Sequence, residues 1–393
     1  MKDTFTIRIL YAIRFFSSLI PAYVIERLYW EERGMTIQMV VYTEIIYALT
    51  IVLLEVPTGV LADRWSRKKM IVLSALLGCA EFLLLVFATE FWHFAVVVFL
   101  AGISHSAMSG SENALLYDTL KLQGKEASFE KLLGRLNAIH FLSAMLAALS
   151  GSLLASRFGL ELNYWISLGS ALIALLLSLW IVEPPTTGSE NPEADTIPLQ
   201  HYITVPLHFF KVNPGVSLML LSGMVTGTAI GFIDEFWQLY AARLSMPVIY
   251  FGSISAALMV LRLPGNILAH HLLKRFSYRT ILSGVMSVVT LGFLYAAMSK
   301  DILGLLAMLV ICLFSGIIEP LAAGYLHHRI ESTMRATTDS FQSLGENAIH
   351  ILAGLGFGYF STQYDVFGGY GFIAILCGLF LIVFLASANK IKH

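Results

Sequence analysis

The chain has 393 residues, 57% of them hydrophobic and 13% charged, with a mean hydropathy of +0.75. That apolar share exceeds the roughly 45–50% typical of soluble domains, so a soluble globular protein is excluded and a polytopic membrane protein is expected. The formal net charge is −1 and the basic residues are scattered over many short loops, which sets nucleic acid aside as a partner.

A bilayer core needs about 20 apolar residues per helix. Runs of that kind recur near 5–25, 37–61, 70–90, 92–118, 132–156 and 161–182, then near 214–242, 247–271, 279–298, 302–326, 337–362 and 368–388. The expected fold is therefore all-α and polytopic, with 12 transmembrane helices in two pseudo-symmetric six-helix bundles. The first run contains Arg14 and no small-residue cleavage site, so it is expected to stay as a helix. Residues 183–213 include EPPTTGSENPEADTIP, whose prolines, threonines and acids favour an extended, solvated linker. The predicted domains are an N-terminal bundle at 1–182, a cytoplasmic linker at 183–213 and a C-terminal bundle at 214–393. Cys79, Cys312 and Cys377 lie inside apolar runs without metal-ligand spacing and are expected to be small core residues.

Between the second and third runs stands GVLADRWSRKKM, Gly59 to Met70. This short charged turn is pinned to one membrane face. If that face is cytoplasmic, about 18 of the 25 basic residues fall on it, about five lie opposite, and Arg14 and Arg262 lie within helices. The positive-inside rule favours this orientation, with both termini cytoplasmic. The string resembles the signature of the major facilitator superfamily, matched by Gly59, Leu61, Ala62, Asp63, Arg64, Arg67 and Lys68, with Ser66 where that family usually has glycine. The resemblance implies a secondary transporter in an inner membrane, working by alternating access as a monomer, without a cofactor or a metal. It also implies that Gly59, Asp63, Arg64, Arg67 and Asp118 form a cytoplasmic gate. In that gate Asp63 faces the start of the eleventh helix, and Asp118 pairs with Arg64 or Arg67.

The two halves repeat one another. Glu55-Val56-Pro57 aligns with Arg262-Leu263-Pro264 and Leu61-Ala62 with Leu268-Ala269, at an offset of 207. Asn137-Ala138-Ile139-His140 recurs as Asn347-Ala348-Ile349-His350 at an offset of 210. Collinear matches at nearly equal offsets indicate homologous six-helix halves. His270 takes the place of Asp63 in the second half, so ion pairing by that aspartate belongs to the first half alone.

Within the helices lie Glu44, Glu55, Glu81, Glu112, Asp234, Glu235, Glu319 and Glu346, against Arg14 and Arg262. An isolated charge at the bilayer centre costs at least about 2.5–3.5 kcal/mol. Acids without a cation partner must therefore face water, bind a cation or hold a proton. Glu112, Asp234, Glu319, Glu55 and Glu235 are the candidate proton-coupling groups, and Glu44 and Glu346 are expected to reach the interface. The resemblance implies that the first, fourth, seventh and tenth helices line a central cavity. The fourth carries His105, Ser109 and Glu112 on one face, and the seventh carries Asp234 and Gln238 at i, i+4 beside Trp237. With Arg14 and Tyr11 from the first helix, these are the candidate cavity residues. Arg14 is read as the counter-ion of Glu112, His140 and His350 as structural histidines, and Gly223, Gly227 and Gly231 as a packing stripe.

No Walker-type loop, zinc spacing or nucleophile elbow is present, so an enzyme is not expected. Excess acids interleaved with Tyr11, Phe15, Phe16, Phe232 and Trp237 suit a small lipophilic cation. The expected function is proton-coupled efflux of such a molecule across the lipid bilayer. The rival is proton-coupled uptake of an organic anion or polar metabolite anchored by Arg14 and Arg262. Val98 in place of an arginine, and the absence of a Gly-Pro pair in SAMLAALSG, depart from the antiporter pattern of the resembled family.

Overall fold

A computed structural model describes residues 2–183, 213–327 and 335–387. The predicted linker lies outside the described residues except for its ends, Glu183 and Asn213. Among the described residues there is no strand, and 11 helical segments are long and apolar enough to cross a membrane. The last helix, Arg335–Ser387, is interrupted at Tyr364 (φ −131°) and Asp365 (φ +57°), which divides it into two spans and brings the total to twelve. Asp365 is held in this left-handed turn by Arg243 at 2.5 Å.

The chain divides into two compact units, Met1–Ser189 with Met246–Ala256, and Glu190–Ser245 with Ala257–His393. Met246–Ala256, at the start of the eighth span, joins the first unit because Gly252 sits directly on the fifth span. A Cβ there would meet Leu149 Cα at 2.8 Å.

Several helix ends follow from local chemistry. Thr36 caps the second span (Ile37–Arg64) through Met39 N, Ser66 caps the third (Arg67–Phe87) through Lys69 N, and Asp301 caps the tenth through Gly304 N. The fourth (Phe91–Lys121), fifth (Phe129–Phe158), sixth (Glu161–Leu179), seventh (Pro214–Arg243) and ninth (Tyr278–Ser299) spans agree with their apolar runs to within a few residues.

Three spans differ from the continuous helices expected of them. The first runs Lys2–Ser18, unwinds at Leu19 and Ile20, and resumes as a 3-10 turn at Pro21–Ile25 and a helix at Glu26–Glu32. Backbone groups freed inside a membrane must find partners, and here they find side chains of the fifth and sixth spans. Ser143 donates to Phe15 O (2.6 Å), Asn163 Nδ2 donates to Pro21 O (3.1 Å), and Ala22 N donates to Ser167 Oγ (3.1 Å). In the second unit the eighth span turns at Leu261, between Phe251–Val260 and Arg262–Leu273, where Leu261 keeps helical dihedrals (φ −65°, ψ −17°) and its N still donates to Ala257 O at 2.9 Å. The tenth breaks at Gly316 and Ile317, between Ile302–Ser315 and Ile318–His327. These two sites touch: a Cβ on Gly265 would meet Gly316 C and Leu313 O at 2.8 Å, so the two helices approach as closely as backbones allow.

Each unit has its own core. In the first, Ile9, Leu10, Ile13, Ile71, Leu115, Leu116, Leu136 and Ile181 form a buried cluster. In the second, Phe357 stacks on Phe232 (4.8 Å) and Phe236 (4.6 Å), joining the seventh and eleventh spans. Of the glycines expected to pack, Gly223 faces Ala322 and Gly231 faces His350, whereas Gly227 has nothing within 4 Å.

Candidate functional site: one ion pair in each unit

In the first unit, Arg14 Nη2 donates to Glu112 Oε2, joining the first and fourth spans. The glutamate side chain is 3% exposed and the arginine 25%. This contact matches the counter-ion reading. It is monodentate, and two polar atoms of the pair itself, Glu112 Oε1 and Arg14 Nε, are buried without a hydrogen-bond partner, as is the Tyr11 hydroxyl on the same helix as Arg14. Burying an unsatisfied polar group costs about 1–3 kcal/mol, more if charged, so these atoms mark a place suited to an additional partner. One turn beyond Arg14, Ser18 Oγ lies 2.8 Å from His140 Nδ1, which gives His140 the hydrogen-bonded role expected of it.

His105 and Ser109 do not join this pair. Both are exposed, and His105 lies edge-on to Tyr47 at 6.1 Å with Glu55 as its charged neighbour. The i, i+4, i+7 pattern therefore does not form one polar patch. Glu112 turns into the bundle, while the other two remain on its surface.

In the second unit, Arg262 Nη2 donates to Asp234 Oδ1 at 2.5 Å and lies 3.7 Å from Cys312 Sγ. Here both side chains are less enclosed by the protein, 31% and 47% exposed. Arg262 stands directly after the turn in the eighth span, and its Nε is buried without a partner. Trp237 and Gln238 are buried, Glu235 is partly buried, and His350 stacks on Phe232 at 5.0 Å.

At the Gly59–Met70 turn, Arg67 pairs with Asp118 and also donates to Ala114 O (3.1 Å), as one of the two expected pairings required. The side chains of Asp63, Arg64 and Glu319 lie outside the described ones. A Cβ on Gly59 would meet nothing within 4 Å, so no close approach requires a glycine there. Ser66, the departure from the family pattern, donates to Glu183 Oε2, while Glu183 Oε1 accepts from Arg67 N at 2.6 Å. A carboxylate from the end of the sixth span thus sits at the start of the third, where the helix dipole favours it.

The expectation of many unpaired acids needs correction. Arg27, two residues beyond the apolar run that ends near residue 25, is 4% exposed and pairs with Glu44 at 2.6 Å. Its guanidinium also lies over Trp30, 4.7 Å from the ring centroid. Glu44 therefore does not simply reach the interface. Glu44, Glu112 and Asp234 each meet a guanidinium, and among the described residues Glu55 and Glu81 have none. Arg27 and Glu183 are the participants that the sequence reading missed. The available signals were Trp30, one turn beyond Arg27, and an acid at the very end of the sixth apolar run.

Among the described residues, apolar helices long enough to cross a membrane and joined by ion pairs between spans are the build of a polytopic membrane transporter. The Major Facilitator Superfamily model matches residues 7–348, and the chain belongs to that family. It is 25% identical over 219 residues to the inner membrane transport protein YajR of Escherichia coli, a match covering 53% of this chain and 46% of YajR. The matched stretch thus spans less than half of that relative's length. An uncharacterized transporter of Buchnera aphidicola (subsp. Acyrthosiphon pisum) is 22% identical over 317 residues, 77% of this chain and 75% of its own. Among solved structures, the nucleoside transporter NupG superposes with a TM-score of 0.78 at 14% identity, over 99% of this chain and 100% of NupG. That likeness is one of fold.

Proposed function

We propose that the protein is a proton-coupled secondary active transporter that exports a small lipophilic cation by alternating access. It acts as a monomer in the inner membrane, with both termini cytoplasmic. The observation that carries this reading is the buried Glu112, one of whose oxygens meets Arg14 while the other has no partner. A carboxylate in that condition accepts either a proton or the charged end of a substrate, and the two compete for it. Tyr11, Phe15 and Phe16 line the same helix and offer aromatic faces to a cation. Asp234, Glu235, Glu55 and Glu319 are the further coupling candidates. Arg14, His105, Ser109, Trp237 and Gln238 are the cavity candidates, and Gly59, Asp63, Arg64, Arg67 and Asp118 form the cytoplasmic gate. The similarity to YajR supports the choice of membrane.

A second reading rests on a different observation, the buried Nε of Arg14 and of Arg262, which have no acceptor. Those donors suit a carboxylate or phosphate and support proton-coupled uptake of an organic anion. Right-side-out vesicles separate the two. When the inside is alkaline relative to the outside, a preloaded lipophilic cation should leave against its gradient. Glu112→Gln and Asp234→Asn should abolish that flux per folded transporter. Accumulation of an organic anion under the same gradient overturns the export reading.

A further inference from the structure

From Phe236 to Lys300 the chain contains no aspartate or glutamate, while Arg243, Arg262, Lys274, Arg275, Arg279 and Lys300 supply cations. Arg243 meets Asp365, Arg262 meets Asp234, and Lys300 lies over the Phe367 ring at 5.3 Å. The rest gather around one loop. His270, His271, Lys274, Arg275 and Arg279 are all exposed, and Phe276 among them is 50% exposed. The eighth span ends at Leu273 and the ninth begins at Tyr278, so four residues join them and hold the loop at the bilayer boundary.

The counterpart loop in the first unit shows what such a place takes. Each loop presents an aromatic residue that is 50% exposed, Trp65 or Phe276, followed by a serine that caps the next helix. The backbone caps are alike, Lys69 N donating to Ser66 Oγ at 3.2 Å and Thr280 N to Ser277 Oγ at 3.3 Å, with the Thr280 hydroxyl also 3.0 Å from Ser277 Oγ. In the first unit, Glu183 adds a carboxylate at that serine and Asp118 takes Arg67. In the second, no carboxylate among the described residues hydrogen-bonds to Ser277.

We propose that the turn Lys274–Ser277, with His270 and His271 on the last turn of the helix before it, is a binding surface for anionic phospholipid headgroups, with the phosphodiester taking at Ser277 the place that Glu183 takes at Ser66. Lys274 and Arg275 supply the charge, the N-terminus of the 22-residue ninth span adds its dipole, and Phe276 enters the interfacial layer as aromatic residues do. Charge complementarity selects the lipid, because a zwitterionic headgroup carries no net charge to meet an acid-free loop.

The test uses the full chain in detergent, titrated with phosphatidylglycerol or phosphatidylcholine and read by native mass spectrometry. Phosphatidylglycerol should be retained preferentially. Its affinity should fall about fivefold for each of Lys274→Gln and Arg275→Gln, the scale for one cation at an anionic surface. Added salt should erode the preference in the wild-type chain. Lys68→Gln with Lys69→Gln, on the first loop, should leave it unchanged. The proposal is overturned if the wild type shows no preference, if the Lys274→Gln, Arg275→Gln chain retains it in full, or if inorganic phosphate displaces the lipid at equal concentration.

Discussion

The two halves carry the same kind of ion pair in different surroundings. Arg14 and Glu112 meet with the carboxylate 3% exposed, whereas Arg262 and Asp234 meet with the carboxylate 47% exposed. In the first pair the carboxylate would otherwise be an isolated buried charge, while in the second it is less enclosed by the protein. The same chemistry therefore differs in what its loss should do.

The largest effect is expected at the more enclosed pair. Glu112→Gln leaves the Arg14 guanidinium without its charge partner and should lower stability by about 3–5 kcal/mol, read by thermal or denaturant unfolding in detergent. Replacing both residues by methionine should restore most of the loss, and a Glu112→Gln protein as stable as wild type would break the comparison. Next comes the brace under the first span. Asn163, fully buried, donates to Pro21 O and Gly151 O at 3.1 and 2.9 Å. Asn163→Leu removes the side-chain donor from both carbonyls, of which Gly151 O keeps its place in the helix ladder, and should cost about 0.5–1.5 kcal/mol, with proteolysis near Leu19 and Ile20 as a local readout. Asp234→Asn, at the less enclosed pair, should cost less than Glu112→Gln, on the order of 1 kcal/mol. A loss there equal to that of Glu112→Gln would show that exposure does not separate the two pairs. The smallest effect is expected for Ser66→Gly, which should cost a few tenths of a kcal/mol at the cap, plus whatever the Glu183 contact contributes. Comparing it with Ser66→Gly in a Glu183→Gln background isolates that contact.

Much of this was legible from residue order. The signature loop and the twelve apolar runs follow from motif and length, while the sequence offered Arg14 as a counter-ion for Glu112 and left Asp118 to Arg64 or Arg67. The unwinding at Leu19 and Ile20 was not legible, because hydropathy is blind to whether an apolar run stays wound. Only the side chains that receive the freed backbone groups, such as Ser143, Asn163 and Ser167, make unwinding tolerable. Arg27 was missed for a related reason. A span interrupted by a turn reaches farther along the chain than 20 residues, so a cation beyond that limit still lies inside.

Sequence by itself determined that the chain crosses a membrane many times in two repeated halves, since a fixed hydrocarbon thickness converts directly into a count of apolar residues. Tertiary structure decided which acids are neutralised. Glu112 meets a guanidinium 98 positions away and Asp234 one 28 positions away. Such partners are chosen by how helices pack, which no local pattern in the chain encodes.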